Sequence, residues 1–231
     1  MVSKIFEVLL EIFEHNRNVL KEKGWIVSSE NSYEWWDGLK SAEEIIISAI
    51  LVQMSRWEIV KSKVEEMRNK GLTDFYRLYN ATEQELYDIL KGINFYKTKV
   101  KRLINISKII INLGSIDKFY DRKLLLSIDG IGEETADSIL LFAGHKPNFP
   151  PSEYGRRVLS RVLGINIMKK NEVKTLVEEN LERNVYEYKL LHAGIVTVGR
   201  AFCFIKNPKC EDCILKNVCK YHLEKIHRDT K

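Results

Sequence analysis

Leu125-Leu126-Ser127-Ile128-Asp129-Gly130-Ile131-Gly132-Glu133-Glu134-Thr135-Ala136 is the stretch on which the reading of this chain turns. A helix ends near Ser127, a turn through Gly130 and Gly132 follows, and a second helix opens near Glu133. Glycine at both places lets the backbone turn tightly and approach a ligand with no Cβ in the way. The amides at the start of the second helix then face outward, where a phosphate oxygen can be received. The same spacing also makes an ordinary helix–glycine–helix corner, so the flanking sequence has to decide.

Upstream, the chain reads as helix after helix. Ile5, Val8, Leu9, Ile12 and Phe13 recur at helical spacing and form one apolar stripe. Ser41 with Glu44 makes a capping box that opens a helix over Ile45–Val52, apolar enough to be buried on most sides. Ser55 to Met67 is the next helix, stopped by Gly71. Thr82 with Glu85 makes a second capping box, for a short helix that Gly92 ends. Lys99 to Leu113 reads as a longer amphipathic helix closed by Gly114. No run alternates apolar and polar residues as a half-buried strand would, and no hairpin turn pair occurs. The expected fold class is all-α.

Composition narrows the functional classes. Apolar residues make up 45% of the 231 and charged residues 30%, which excludes a disordered chain. The greasiest stretch, Ile45–Val52, is too short to span a bilayer. The first sixteen residues lack a small-residue cleavage site. A cytoplasmic protein with no membrane partner is therefore expected. The net charge of +5 permits a polyanionic partner without demanding one.

All four cysteines fall late, at Cys203, Cys210, Cys213 and Cys219, and all four prolines at or after Pro147. Disulfides are not expected without an export signal. Structural zinc usually takes two close cysteine pairs, and here there is one C-x2-C. A [4Fe–4S] cluster needs four thiolates converging on a cube, which a compact loop with one tight C-x2-C turn supplies. Ligand type and spacing favour the cluster over zinc. Between residues 194 and 231 eight Lys/Arg face four Asp/Glu, so most of the excess positive charge lies beside these cysteines.

A glycine hairpin of this form followed by C-x6-C-x2-C-x5-C resembles the endonuclease III superfamily of DNA glycosylases, over nearly the whole chain. Further segments share the resemblance: Ile50-Leu51-Val52-Gln53, Phe95-Tyr96-Lys97-Thr98-Lys99, and Gly199-Arg200-Ala201-Phe202-Cys203. It implies two helical domains flanking a cleft: a six-helix barrel with the helix-hairpin-helix at 36–146, and a cluster domain from 1–35 together with 147–231. It further implies double-stranded DNA containing a damaged base as partner, bound by a monomer. Gln53 would fill the gap left by a flipped base and Phe95 would wedge the opposite strand. Gly130, Gly132, Lys206 and Lys209 would meet the backbone, and Cys203, Cys210, Cys213 and Cys219 would hold the cluster. Taken singly, Gln53 also reads as a helix-surface residue and Phe95 as a core one.

The chemistry implied by the resemblance is that of a base-excising hydrolase. Bifunctional members carry a Lys two residues after the second hairpin glycine; here that residue is Glu134, which cannot form an imine. Glu134–Leu141 and Tyr154–Arg161 look more like the monofunctional 3-methyladenine branch. So does Trp35-Trp36, and with Trp57 these aromatics would sandwich a positively charged alkylated purine; core packing is the plainer reading of each. The Asp that the active members share corresponds to Ser152, which offers no negative charge. Glu134 or Glu153 is then expected to supply the carboxylate. The alternative is a weak or inactive protein that binds damaged DNA or abasic sites; deliberate replacement of the Asp is a third account. Tyr154, Arg156, Arg157 and Arg161 read as phosphate contacts or partners of acidic neighbours, with a solvated face the plainer reading of the run, and His192 as a core histidine.

Overall fold

The computed structural model describes residues 2–229, and among them there is no β-strand; the one extended pairing is an isolated antiparallel bridge between Trp25 and Trp36. No helix of these residues is long and apolar enough to cross a membrane. The chain divides into two compact units: residues 39–144, and residues 1–38 with 145–231. The divisions fall at 38/39 and 144/145, two or three residues from the boundaries expected at 35/36 and 146/147.

The continuous unit holds α3 (Ala42–Leu51), α4 (Trp57–Asn69), α5 (Phe75–Asn80), α6 (Glu83–Leu90), α7 (Tyr96–Leu113), α8 (Arg122–Ser127) and α9 (Glu133–Ser138). α9 runs on as a π-helical turn, Ile139–Ala143. The centre is α3, which packs against α4, α7 and the π turn. Ile45, Ile46, Ile47, Ile50 and Leu51 are all fully buried, each worth about 1.5–3 kcal/mol on leaving water. Ser41 caps α3 by accepting from the Glu44 amide. The expected reciprocal bond is replaced, because Glu44 accepts from the Lys40 amide and from the Arg68 guanidinium instead. Burial alone would raise the Glu44 pKa, but these bonds and the Arg68 charge hold it below the usual carboxylate value.

Two helix starts differ from the sequence reading. α4 begins at Trp57, because Arg56 before it is extended (φ −75°, ψ 137°) and serves as the N-cap. α7 begins at Tyr96, three residues early, because Phe95 takes a left-handed backbone (φ +56°) that turns the chain directly into it.

The discontinuous unit holds α1 (Val2–His15) and α2 (Arg17–Glu22), then α10 (Glu153–Leu163), α11 (Lys170–Asn180), α12 (Val185–Ala201) and α13 (Lys220–Asp229). α12 is its axis, packed by α1, α2 and α10. α1 lies so close to α12 at Gly194 that a Cβ there would sit 2.3 Å from the Phe13 ring. Phe6, Leu9 and Phe13 are the buried line of α1; Ile5, Val8 and Ile12 flank it. His192 is buried on α12 with its ring against Trp25 and Phe149, a core histidine as expected.

Candidate functional site

In the continuous unit the glycine hairpin is held from three sides. Asp121 caps α8, and the buried Ile128 and Ile131 pin the turn. Gly130 has φ +80°, so the backbone demands glycine; the Arg102 guanidinium lies across the space a Cβ would take, with Nε 2.0 Å from it. The fully buried Asp137 carboxylate accepts from Arg122 Nε and Nη2 at 2.8 and 3.0 Å, tying the two hairpin helices together. Gly132 opens α9 with no side-chain acceptor for its first amides. Glu134, in the first turn of that helix, is half-buried.

Gln53 is joined to this hairpin. Its amide Nε2 donates to the Gly130 carbonyl and to Thr135 Oγ1, both at 3.1 Å. The next contact of the same loop is with the α7 start: Asn94 Nδ2 donates to the Met54 carbonyl at 2.6 Å. Beneath it, the buried Lys99 ammonium donates to the Leu51 carbonyl (2.8 Å), the Gln53 carbonyl (2.6 Å) and Ser55 Oγ (3.1 Å). Burial, with Arg102 adding repulsion, pushes the Lys99 pKa down to about 8. Phe95 is not a core residue: it is 65% exposed on its left-handed backbone. Lys99 as a loop clamp was missed in the sequence, although it falls in register with Leu103, Ile106 and Ile110 on the apolar face of α7.

The three tryptophans are divided between the two units. Trp57 is buried as the first residue of α4, in the continuous unit. Trp35 and Trp36 belong to the other unit. Trp35 is fully buried, its indole N–H donates to the Ser29 carbonyl at 2.8 Å, and Tyr186 meets it edge-on. Trp35 and Trp57 are thus both packed into the core of their own unit. Trp36 is half-buried, stacked on Trp25 with centroids 5.9 Å apart.

Ser152 and Glu153 stand side by side at the start of α10. Ser152 is 2% exposed and is the N-cap of α10, its hydroxyl accepting from the Gly155 amide at 2.9 Å. Glu153, one residue on, is turned outward and paired with Arg156 at 2.8 Å. One step along a helix rotates a side chain by about 100°, which explains the divergence. Arg157 and Arg161 are not free cations for phosphate. Arg157 donates to the carbonyls of Cys203 and Gly199, with Tyr154 under its guanidinium. Arg161 donates to Cys203 Sγ (3.1 Å) and to the Phe204 and Ile205 carbonyls, over the Tyr221 ring.

All four cysteines are free and line one small cavity whose wall includes Val158, Val162, Leu215 and Arg161. Burial, opposed by the Leu215 amide and reinforced by the neighbouring thiols, pushes Cys213 up to about 11; Cys210 and Cys219 are also raised, chiefly by burial. Among the described residues, no three His, Cys, Asp or Glu side chains gather as a group able to hold a metal ion. Lys206 and Lys209 stand exposed on the loop between Cys203 and Cys210. Of the basic run beyond, Lys231 lies outside the described residues.

A second polar group went unread in the sequence. Lys189 of α12, fully buried, donates to the Glu30 carbonyl (2.7 Å), the Ser32 carbonyl (3.3 Å) and His145 Nδ1 (2.9 Å). Burial pushes its pKa down to about 7, and burial with the Lys189 charge pushes His145 down to about 4. Its signal was the placement of a lysine inside the apolar run Tyr188–His192.

Comparison with known proteins follows the same geometry. Residues 47–184 match the family model described as "HhH-GPD superfamily base excision DNA repair protein", a stretch that contains Gln53, Phe95 and the hairpin. The chain is 31% identical over 229 residues to a Methanocaldococcus jannaschii protein named "Putative DNA repair glycosylase MJ1434", covering 95% of this chain and 96% of that one. A non-covalent endonuclease III–DNA complex superposes with TM-score 0.74 at 18% identity, over 98% of this chain and 99% of that one. The H. pylori 3-methyladenine DNA glycosylase bound to 1,N6-ethenoadenine gives TM-score 0.67 at 24% identity, over 84% and 96%. Hairpin, helical architecture and matched sequence thus agree, and the chain belongs to the HhH-GPD superfamily of base excision DNA repair glycosylases.

Proposed function

We propose that this glycosylase acts on duplex DNA holding a damaged base, with alkylated purines as its substrate class, and hydrolyses the N-glycosidic bond without strong lyase activity. The observation that carries the reading is the joint at Gln53, whose amide binds the hairpin while its loop is fastened to the turn that exposes Phe95. A base inside a duplex cannot be attacked, so it must be rotated out, and side chains inserted in the stack offset the unstacking. A wedge and a phosphate-binding turn held in one rigid piece suit that task, because little ordering remains to be done on binding.

Glu134 is the carboxylate assigned to the chemistry. It lies two residues past Gly132 and is half-buried, so its charge is screened less than at the surface. As the glycosidic bond breaks, positive charge grows on the sugar, and a fixed carboxylate stabilises it or takes a proton from the attacking water. No amine stands at this position to attack the sugar. Trp36, half-buried and stacked on Trp25, is the aromatic assigned to a cationic purine, where stacking is worth about 1–3 kcal/mol.

The four cysteines fit a [4Fe–4S] cluster better than a single ion, since four thiols border one cavity without meeting at a point. Cys203, Cys210, Cys213 and Cys219 would hold it, and it would tie the loop carrying Lys206 and Lys209. Hydrolysis itself requires no electron transfer.

A second reading, lesion binding without excision, is favoured by one observation. The Ser152 hydroxyl is committed to its helix cap and Glu153 to Arg156, so neither supplies the charge of the family Asp. A panel of alkylated, deaminated and oxidised duplexes separates the two. Base release from alkylated purines, with no borohydride trapping on abasic DNA, is expected. Tight lesion binding with no release across the panel would establish the second reading, and efficient trapping would refute the absence of lyase chemistry.

A further inference from the structure

One apolar side chain on the Gln53 loop has no part in the reading above. Met54 is 79% exposed, and its backbone is left-handed at φ +54°. A side chain with a Cβ is strained in that conformation, and strain of this kind persists where the surroundings over-determine it. Here they do. Lys99 holds the carbonyls of Leu51 and Gln53 and the hydroxyl of Ser55, and Asn94 holds the carbonyl of Met54 itself. Phe95, the neighbour of Asn94, repeats the pattern with 65% exposure and φ +56°. Two exposed apolar side chains on strained backbone therefore flank one 2.6 Å hydrogen bond.

We propose that Met54 is a further insertion residue, entering the base stack alongside Gln53 and Phe95 when damaged duplex is bound. The proposal rests on the damaged-DNA reading and deepens it by assigning the loop a specific contact. Methionine is among the apolar wedges able to open a base step, and its unbranched chain adapts to an irregular gap. Burial between bases would also remove from water a side chain that is otherwise almost fully exposed.

The test uses a duplex with a tetrahydrofuran abasic-site analogue and a neighbouring 2-aminopurine, whose fluorescence rises on unstacking. Binding and fluorescence are read for the wild type, Met54→Ala, Phe95→Ala and the double variant. Each single change is expected to weaken binding to this duplex by roughly ten-fold and to reduce the fluorescence rise, with a larger loss in the double variant. Met54→Gly removes the same side chain but relaxes the backbone. It should therefore match Met54→Ala in binding while melting no lower than the wild type. If Met54→Ala binds and unstacks as the wild type does while Phe95→Ala fails, the insertion role of Met54 is wrong and the damaged-DNA reading stands. If the wild type itself does not distinguish the abasic duplex from an intact one, that reading falls and the proposal with it.

Discussion

The Lys99 ammonium donates to the Gln53 carbonyl oxygen at 2.6 Å, so a charge buried on one helix holds the end of another. Lys99→Met leaves the Leu51 and Gln53 carbonyls and the Ser55 hydroxyl without their donor, at a cost of roughly 1–3 kcal/mol. Thermal melts should show that loss. Binding to an abasic duplex should fall as well, because Gln53 and Met54 lose their fixed backbone; unchanged affinity would show that the clamp serves stability alone.

Ser152→Asp keeps the α10 cap, since Asp is as good an N-cap as Ser, and puts a carboxylate at the position where the proposed reading lacks one. The melting temperature is expected to stay near that of the wild type. Base release should rise by about 10²-fold, on the scale of one preorganised electrostatic contact. Ser152→Ala is the control and should cost about 1 kcal/mol of stability through the lost cap. Base release by Ser152→Asp no faster than by the wild type would leave Glu134 as the sole catalytic carboxylate.

Arg161 binds Cys203 Sγ and two carbonyls of the same loop at once. In protein loaded with the proposed cluster, Arg161→Leu is expected to hasten the loss of iron and of visible absorption under chelator challenge. Arg161→Lys should restore only part of the protection, because an ammonium cannot reproduce the planar fork. For the exposed loop lysines, replacing Lys206 and Lys209 by Gln should reduce the slope of log affinity against log salt by about 0.9 for each phosphate no longer neutralised.

Acid stability follows from two histidines in the discontinuous unit. Burial pushes His192 down to about 4, and burial with the Lys189 charge does the same to His145, both from 6.5. As pH falls the unfolded chain takes up these protons first, so their contribution is complete above pH 6.5 and is lost progressively towards pH 4. His192→Phe retains an aromatic ring against Trp25 and Phe149 and removes one titrating group. Melts across about pH 7 to 5 should therefore fall less steeply for the variant, and identical slopes would exclude His192 as a source of the acid loss.

The all-α class, most helices and the glycine hairpin were legible from the residues alone, because apolar periodicity, caps and turn glycines act within a few residues of themselves. Thr82 and Ser41 cap where their spacing says they should. The four cysteines were likewise legible as a group, since they lie close along the chain and line one cavity. The destinations of the polar side chains were decided by tertiary structure. Lys99 meets carbonyls more than forty residues away, Arg161 reads as a surface cation yet fastens the cysteine loop, and Gln53 bonds to a turn 77 positions on. Trp35 and Trp57 are buried, while Phe95, readable as core, is exposed. A buried donor or aromatic ring satisfies itself with whatever the fold brings within about 3–4 Å. Residue type and local spacing do not encode that neighbour, and closure of the chain does.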